Sequence, residues 1–245
     1  MTPSPLWYRM RGLMMFLIIL LSFYLAYGIS TALHQSTLPT LWQLAGKGEL
    51  SRYQLLLAIG ALFPIATFLI RSWGAAYLRA SIVWAGSAAA DRLIVAGPFR
   101  YLRNPLYFGN LLLLPWLALF MPPLGIPVLI IGMLLFIAAL SSYEGENLRA
   151  RFGSAYERYA AQVPALIPRL VPIPASSDAP APQWSEGLRS ELYTLTFALL
   201  AIAIAIAPSL LSRPWIWGVV LFGYLLQRFI ARPRTGEPTA PTPSE

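Results

Sequence analysis

The stretch from Gly97 to Gly109 concentrates ion-binding and hydrogen-bonding side chains directly before a long apolar run. It reads Gly-Pro-Phe-Arg-Tyr-Leu-Arg-Asn-Pro-Leu-Tyr-Phe-Gly and contains two arginines, one asparagine and two tyrosines. Polar groups at the mouth of a membrane helix are costly to remove from water. A cluster this dense therefore indicates a binding or catalytic site.

A second polar cluster, residues 143–159, contains Glu144 and several arginines and tyrosines. Between the clusters lie two apolar runs, 106–121 and 125–142, joined only by a short turn of two prolines and a leucine. This spacing predicts a helical hairpin whose turn brings its two outer ends together. We therefore expect three polar side chains to line one pocket: Asn104, Tyr107 and Glu144.

The elements that position these clusters belong to an integral membrane protein. The chain is 57% hydrophobic and 11% charged, whereas soluble domains carry about a quarter charged residues. Six apolar segments predict an all-α integral membrane protein with about six transmembrane helices: 13–33, 53–70, 106–121, 125–142, 191–208 and 214–231. The third is the shortest and contains Pro115, so we expect it to be kinked or not fully spanning.

The distribution of positive charge predicts the orientation in the membrane. With both termini inside, fifteen arginines lie on the inner side, against Lys47, Arg52 and Arg213 outside. Because positive residues favour the cytoplasmic side, both polar clusters are expected to face the cytoplasm. The net charge of the chain is +8, and its basic residues lie between the apolar runs. This placement indicates contact with anionic lipid and not with nucleic acid. Residues 72–96 are expected to form an amphipathic surface helix.

Composition also divides the chain and limits its chemistry. The chain has no cysteine and one histidine, so thiolate chemistry is excluded and no metal site is predicted. We expect five regions: a two-helix anchor (1–70), a core with the hairpin (71–170), a Pro-rich linker (171–190), a C-terminal transmembrane hairpin (191–231) and a disordered tail (232–245).

The two clusters together resemble the signature of the isoprenylcysteine carboxyl methyltransferase and phospholipid methyltransferase superfamily. That signature is Arg-His-Pro-x-Tyr-x-Gly, then a helical hairpin, a glutamate pair and Phe-Gly-x-x-Tyr-x-x-Tyr. The first part matches Arg103 to Gly109, and the second matches Glu144 and the run from Phe152 to Tyr159. The resemblance covers roughly residues 71–170.

This resemblance implies an S-adenosylmethionine-dependent membrane methyltransferase that takes a lipophilic substrate from the bilayer. It implies that one group borders the cofactor from the start of the hairpin: Asn104, Pro105, Leu106 and Tyr107. It implies that a second group borders it from the preceding loop: Leu93, Ile94 and Phe99. Glu144 matches the family glutamate that holds the cofactor's polar end. Arg103, Asn104 and Tyr107 are the expected catalytic residues, and Arg100 and Arg103 are expected to orient the acceptor.

The chain departs from the superfamily pattern at three positions. Asn104 replaces the usual histidine, and asparagine does not titrate, which disfavours a proton-transfer role there. Gly145 replaces the second glutamate of the pair. Leu140 stands where eukaryotic prenylcysteine enzymes place a substrate-binding arginine. A carboxylate acceptor needs no general base, so Asn104 in place of histidine favours a carboxylate or another easily ionised acceptor. Leu140 weakens the case for a prenylcysteine carboxylate in particular.

Several alternatives stay open at the level of sequence. The same scaffold suits a phospholipid amine N-methyltransferase or a non-catalytic membrane protein that binds a partner. A transporter is less favoured because charges within the spans are nearly absent and no inverted repeat is visible. Taken singly, Arg100 and Arg103 also suit lipid headgroup anchors, Tyr107 suits the interfacial belt, and Glu144 suits an ion pair on a surface helix. The sequence does not predict an oligomeric state.

Overall fold

The helices of the protein were located in a computed structural model that describes residues 5–45, 50–78, 93–175, 179, 181–213, 218–219, 222–223 and 225–226. Within these residues the chain forms helices and turns and no strand, which confirms the all-α prediction. The α-helices are α1 (Leu6–Arg9), α2 (Arg11–Ala32), α3 (Thr40–Ala45), α4 (Leu50–Tyr77), α5 (Pro105–Leu112), α6 (Leu114–Ala118), α7 (Ile126–Phe152), α8 (Ser154–Gln162), α9 (Trp184–Ser190) and α10 (Leu192–Ile206).

Three of the described helices are long and apolar enough to cross a membrane. They correspond to α2, α4 and α7, with mean hydropathies of 2.2, 2.0 and 2.6. Helix α4 continues to Tyr77 and does not end at residue 70, so the predicted boundary between anchor and core falls inside one helix. Arg71, one of the fifteen arginines counted on the inner side, is buried in that helix.

The third predicted segment is short and broken. Helix α5 ends at Leu112, and α6 begins at Leu114 with Pro115 in its first turn. Proline lacks a backbone N–H and its ring clashes with the carbonyl four residues earlier, so it interrupts a continuous helix at this point. The combined helix, Pro105–Ala118, is shorter than the three candidate spans, as expected for a segment that does not fully span the membrane.

The fifth predicted segment is bent and does not form a single straight span. Helices α9 and α10 meet at an angle of 68°, with Glu191 between them outside helical geometry. Helix α9 occupies residues 184–190, which the sequence had suggested as linker. The sixth segment lies largely outside the described residues, as do residues 79–92 and the tail. Residues 72–77 belong to α4, so the predicted surface helix does not begin at residue 72.

Two helix pairs enclose the broken pair α5–α6. Helix α2 packs on α7, α4 packs on α9 and α10, and α5 contacts α4 and α7. A buried cluster between α1, α2, the hairpin and α7 includes Tyr8, Tyr107, Met133 and Ile137. A second cluster joins α3, α4, α6 and α10. The start of α5 is therefore held between two helical layers.

Candidate functional site at the base of the hairpin

The hairpin brings the start of α5 against the last turns of α7. Tyr107 donates a hydrogen bond from its hydroxyl to Glu144 Oε1 over 2.6 Å. Asn104, immediately before α5, donates from Nδ2 to Ser141 Oγ over 2.8 Å. Ser141 and Glu144 are three residues apart and share one face of α7. The structure thus places Asn104, Tyr107 and Glu144 around one helical turn.

Tyr8 is the second tyrosine that contacts Glu144, and no motif in the sequence predicted this contact. Its hydroxyl also donates to Glu144 Oε1, over 2.6 Å. The side chain is 2% exposed, its ring lies 4.7 Å from that of Tyr143, and the Arg11 guanidinium lies 4.7 Å from its ring centroid. Burial, and then the charge of Glu144, raise the pKa of the Tyr8 phenol above its usual value. Tyr8 is therefore a protonated donor at neutral pH.

The arrangement creates a preorganised anionic group in a mostly apolar setting. Two hydroxyl donors at 2.6 Å have the short spacing typical of O–H bonds to a carboxylate. Neither of these bonds uses Glu144 Oε2. A carboxylate held in this way stabilises a cationic group placed beside it, because the interaction is little screened by water.

Asn104 is engaged in holding the backbone of the chain. Its Nδ2 donates to the Ala165 carbonyl over 3.0 Å as well as to Ser141, and its backbone N–H donates to the same carbonyl over 3.2 Å. The amide therefore fastens the segment after α8 to the hairpin. These contacts give Asn104 a structural role at the edge of the site.

Residues 164–173 run alongside the loop that precedes α5 and form hydrogen bonds with its backbone. Arg103 N–H donates to the Pro164 carbonyl over 2.8 Å, and Ile173 N–H donates to the Arg100 carbonyl over 3.2 Å. Arg100 Nε returns a bond to the Ile173 carbonyl over 2.7 Å. Arg100 therefore hydrogen bonds to this segment through both its side chain and its backbone.

Arg103 contacts the second motif cluster and keeps one buried donor unpaired. Its Nη1 donates to the Tyr156 hydroxyl over 3.0 Å. Its Nε is buried and has no hydrogen-bond partner among the described residues. The same Tyr156 hydroxyl lies 2.9 Å from the position that a Cβ at Gly145 would take. The space beside the missing second glutamate is therefore filled by Tyr156.

The remaining predicted site residues lie in two places, one group against α8 and the other against α4. Phe99 is 8% exposed, and its carbonyl accepts a bond from the Tyr159 hydroxyl over 2.8 Å. Burial raises the pKa of the Tyr159 phenol. Leu93 packs against Tyr156 and Tyr159 of α8, whereas Ile94 is half-buried in the same loop.

Pro105 and Leu106 face α4 and not Glu144. The position that a Cβ at Gly74 would take lies 2.8 Å from Leu106 Cδ1 and 3.3 Å from Pro105 Cγ. The absence of a side chain at Gly74 therefore allows α5 to approach α4 closely. Of the residues predicted to border a cofactor from the hairpin, Tyr107 is the one in direct contact with Glu144.

An apolar groove lies one helical turn beyond this site. It has a volume of about 470 Å³. Its walls come from the hairpin: Leu111, Leu114, Pro115, Ala118, Ile126, Ile130 and Leu134. Leu111 follows Tyr107 by four residues, so the two side chains lie on neighbouring turns of one helix face. The groove is lined entirely by apolar side chains and is suited to a hydrocarbon chain.

The segment that carries this site is similar to a known protein family. Residues 55–155 match the family model described as phospholipid methyltransferase. This segment is therefore similar to a family of methyltransferases. The match contains Tyr107 and Glu144 but neither Tyr8 nor helices α9 and α10, and it confirms the superfamily that the two motifs indicated. No curated protein and no solved structure matches the chain.

Among the described residues, no group of three or more histidine, cysteine or acidic side chains is arranged to hold a metal ion. The groups available for chemistry in the site are the Glu144 carboxylate, the tyrosine hydroxyls and the Arg103 guanidinium.

Proposed function

We propose that the protein transfers a methyl group from S-adenosylmethionine to a lipophilic acceptor that enters from the bilayer. The observation that supports this most strongly is the Glu144 carboxylate, held by two tyrosine hydroxyls at 2.6 Å within the segment that matches a methyltransferase family. The positive charge of Arg11 already acts on this carboxylate, and one of the cofactor's two cationic groups would be a second partner for it.

The side chains fit the polar and apolar parts of the cofactor. Glu144 would hold the ammonium group of the cofactor through Oε2, the oxygen that neither tyrosine hydroxyl uses. Leu93 and Phe99 would supply an apolar wall for the adenosyl group, which needs such surfaces with few hydrogen bonds. When bound, the cofactor supplies an electrophilic methyl group on sulfur.

The chain's own residues would act by alignment and by excluding water. Methyl transfer is an in-line displacement, so most of the catalytic effect comes from holding the acceptor in line within a dry site. The groove that begins at Leu111 would take the acceptor's hydrocarbon chain. Arg103, with Arg100 behind it, would orient an anionic acceptor group beside Tyr107.

The engagement of Asn104 favours an acceptor that is already ionised. Its Nδ2 donates to two protein oxygens, and its side chain has no titratable proton. A carboxylate is ionised at neutral pH and needs no base, whereas an alkylammonium must first lose a proton. We therefore propose a lipid carboxylate, or a similarly ionised group, as the acceptor.

A phospholipid amine is the second candidate acceptor, and the family match is the observation that favours it. The matching model is named for phospholipid methyltransferases. With such an acceptor, the Glu144 region would bind the cofactor in the same way, and the headgroup amine would approach the same methyl group. The two candidates differ in the bond formed, which is an ester for a carboxylate and an N-methyl group for an amine.

For the membrane arrangement we propose six spans, with both termini and the site facing the cytoplasm. The three described spans and the bent α9–α10 pair support the multi-pass part of this proposal. The excess of inner arginines supports the orientation, and it stays large when the buried Arg71 is set aside.

The test uses purified protein in lipid nanodiscs with methyl-labelled S-adenosylmethionine and three acceptor conditions. These are a prenylated or acylated carboxylate, phosphatidylethanolamine, and no acceptor. We expect base-labile label in the carboxylate lipid, loss of transfer in Glu144→Gln, and retention in the exposed control Glu157→Gln. Base-stable label in the amine lipid would support the second candidate. Absence of both transfer and cofactor binding in folded protein would refute the enzyme and support a scaffold.

A further inference from the structure

Arg71 and Glu191 form a buried ion pair outside the site described above. Arg71 Nε donates to Glu191 Oε2 over 2.7 Å, and Nη2 donates to Oε1 over 2.8 Å. The residues are 6% and 0% exposed. The two parallel bonds give the pair a fixed geometry, which a single point charge would not provide.

The third nitrogen of Arg71 reaches the helix that carries Tyr107. Nη1 donates to the Leu106 carbonyl over 3.0 Å and to Asn110 Oδ1 over 2.9 Å. Leu106 and Asn110 are one turn apart and lie on either side of Tyr107 in the sequence. The position that a Cβ at Gly109 would take overlaps the Arg71 side chain, so α5 accommodates the arginine through a residue with no side chain.

Glu191 lies at the bend between α9 and α10, and this bend is fastened to α4. Thr194 Oγ1 donates to Glu191 Oε2 over 3.2 Å. Gln183 N–H donates to the Ala76 carbonyl over 2.6 Å. A Cβ at Gly187 would lie 2.7 Å from the Ala76 backbone nitrogen, so α9 approaches α4 at backbone distance. Helices α9 and α10 lie outside the segment 55–155 that matches the methyltransferase family model.

We propose that Arg71 and Glu191 are positioning residues through which the α9–α10 bend fixes the start of α5, and with it the Tyr107 hydroxyl, against Glu144. Replacing a buried ion pair by apolar side chains of similar volume is often neutral for stability. The contribution proposed for this pair is therefore the defined position of α5, and the unfolding midpoint of a variant without the pair tests whether folding depends on it. The consequence for cofactor binding rests on the proposed function, whereas the fixing of α5 does not.

The experiment compares full-length protein in detergent with the double variant Arg71→Met/Glu191→Leu, which removes both buried charges. Its matched control is Arg149→Met/Glu157→Leu, which makes the same substitutions in an exposed pair separated by 3.9 Å. Three quantities are measured for each: the thermal unfolding midpoint, amide hydrogen exchange of residues 105–112, and binding of S-adenosylhomocysteine by calorimetry.

We expect the buried double variant to keep its unfolding midpoint within about 4 °C of wild type. Its α5 amides should exchange about 10- to 100-fold faster, the change expected when one charge-assisted hydrogen bond is lost. Its affinity for S-adenosylhomocysteine should fall about tenfold or more, while the control matches wild type. A lower affinity at an unchanged midpoint is a result that a merely structural pair would not give.

Arg71→Lys keeps the test decisive if the double variant does not fold. Lysine retains a positive charge beside Glu191 but loses the three-way hydrogen bonding of the guanidinium, so faster α5 exchange is expected here too. Wild-type exchange of α5 in the folded variants would overturn the proposal. Faster exchange with unchanged ligand affinity would overturn the link to Glu144. If wild-type protein binds no ligand, the proposed function fails, and the exchange data still decide whether the pair fixes α5.

Discussion

Replacing Tyr8 by phenylalanine removes one hydroxyl from Glu144 and leaves the packing of the ring in place. The hydroxyl bond is 2.6 Å long, and the ring stays against Tyr143. Hydrogen bonds to charged groups contribute about 1.5–3 kcal/mol. We expect Tyr8→Phe to lower the free energy of unfolding by about that amount, which corresponds to a fall of roughly 3–12 °C in a chain of this size.

The assay is thermal unfolding of purified protein in a mild detergent, followed by tryptophan fluorescence, with Tyr24→Phe as the control. The Tyr24 side chain is 76% exposed, and exposed substitutions usually change stability by less than about 0.5 kcal/mol. Repeating Tyr8→Phe in a Glu144→Gln background tests the charge of the acceptor. With a neutral acceptor, the cost of Tyr8→Phe should fall to about 0.5–1.5 kcal/mol.

Two results would refute this reasoning. If Tyr8→Phe unfolds at the same temperature as Tyr24→Phe, then the N-terminal helix is not held by Glu144. If its cost is the same in the wild-type and Glu144→Gln backgrounds, then the bond is not charge-assisted, and Glu144 is not the fixed anion on which the proposed function depends.

Three further substitutions test the packing around the site, each by unfolding in detergent. Gly145→Ala should lower the free energy of unfolding by about 1–3 kcal/mol more in wild type than in a Tyr156→Phe background, because its Cβ meets the Tyr156 hydroxyl. Equal effects in the two backgrounds would contradict this contact. Gly187→Ala should destabilise by about 2 kcal/mol, since its Cβ meets rigid backbone of α4, whereas Gly12→Ala, whose Cβ meets no described atom within 4 Å, should not. Tyr159→Phe should cost about 1–3 kcal/mol by leaving a buried carbonyl unpaired, and a neutral effect would argue against that bond.

The hairpin and its polar base follow from local features of the sequence. Two apolar runs separated by a turn of three residues must be antiparallel neighbours, so the residues at their outer ends meet. Asn104, Tyr107 and Glu144 could therefore be placed together without a structure. Pro115 predicted the break between α5 and α6 for an equally local reason, because proline interrupts the helical hydrogen bonds at its own position.

Tyr8 and Arg71 were missed because their partners are distant in the chain. The Tyr8–Glu144 contact joins residues 136 positions apart. In the sequence, nothing distinguishes Tyr8 from an ordinary aromatic residue at a membrane interface. Arg71 pairs with Glu191, 120 positions away. An arginine at the end of an apolar run is normally interpreted as a headgroup anchor. That Arg71 is buried becomes evident only from the packing of α4 on the α9–α10 bend.

The contacts of Asn104 also change the interpretation of the motif. From sequence, its substitution for histidine was a departure with consequences for proton transfer. In the structure, its amide joins Ser141 of α7 to the Ala165 carbonyl after α8. Joining these two oxygens requires a side chain that donates two hydrogen bonds, and asparagine does so without titrating. This role is consistent with an acceptor that requires no base.

The central claim is that Glu144 binds the cationic end of S-adenosylmethionine, and isothermal titration calorimetry tests it most directly. Wild type, Glu144→Gln and Glu157→Gln are titrated in detergent with S-adenosylmethionine and S-adenosylhomocysteine. Loss of a buried charged contact should weaken binding by about 10- to 100-fold in Glu144→Gln, while Glu157→Gln, which is 61% exposed, binds as wild type does. Equal affinities of the two variants, or no binding by folded wild-type protein, would contradict the claim.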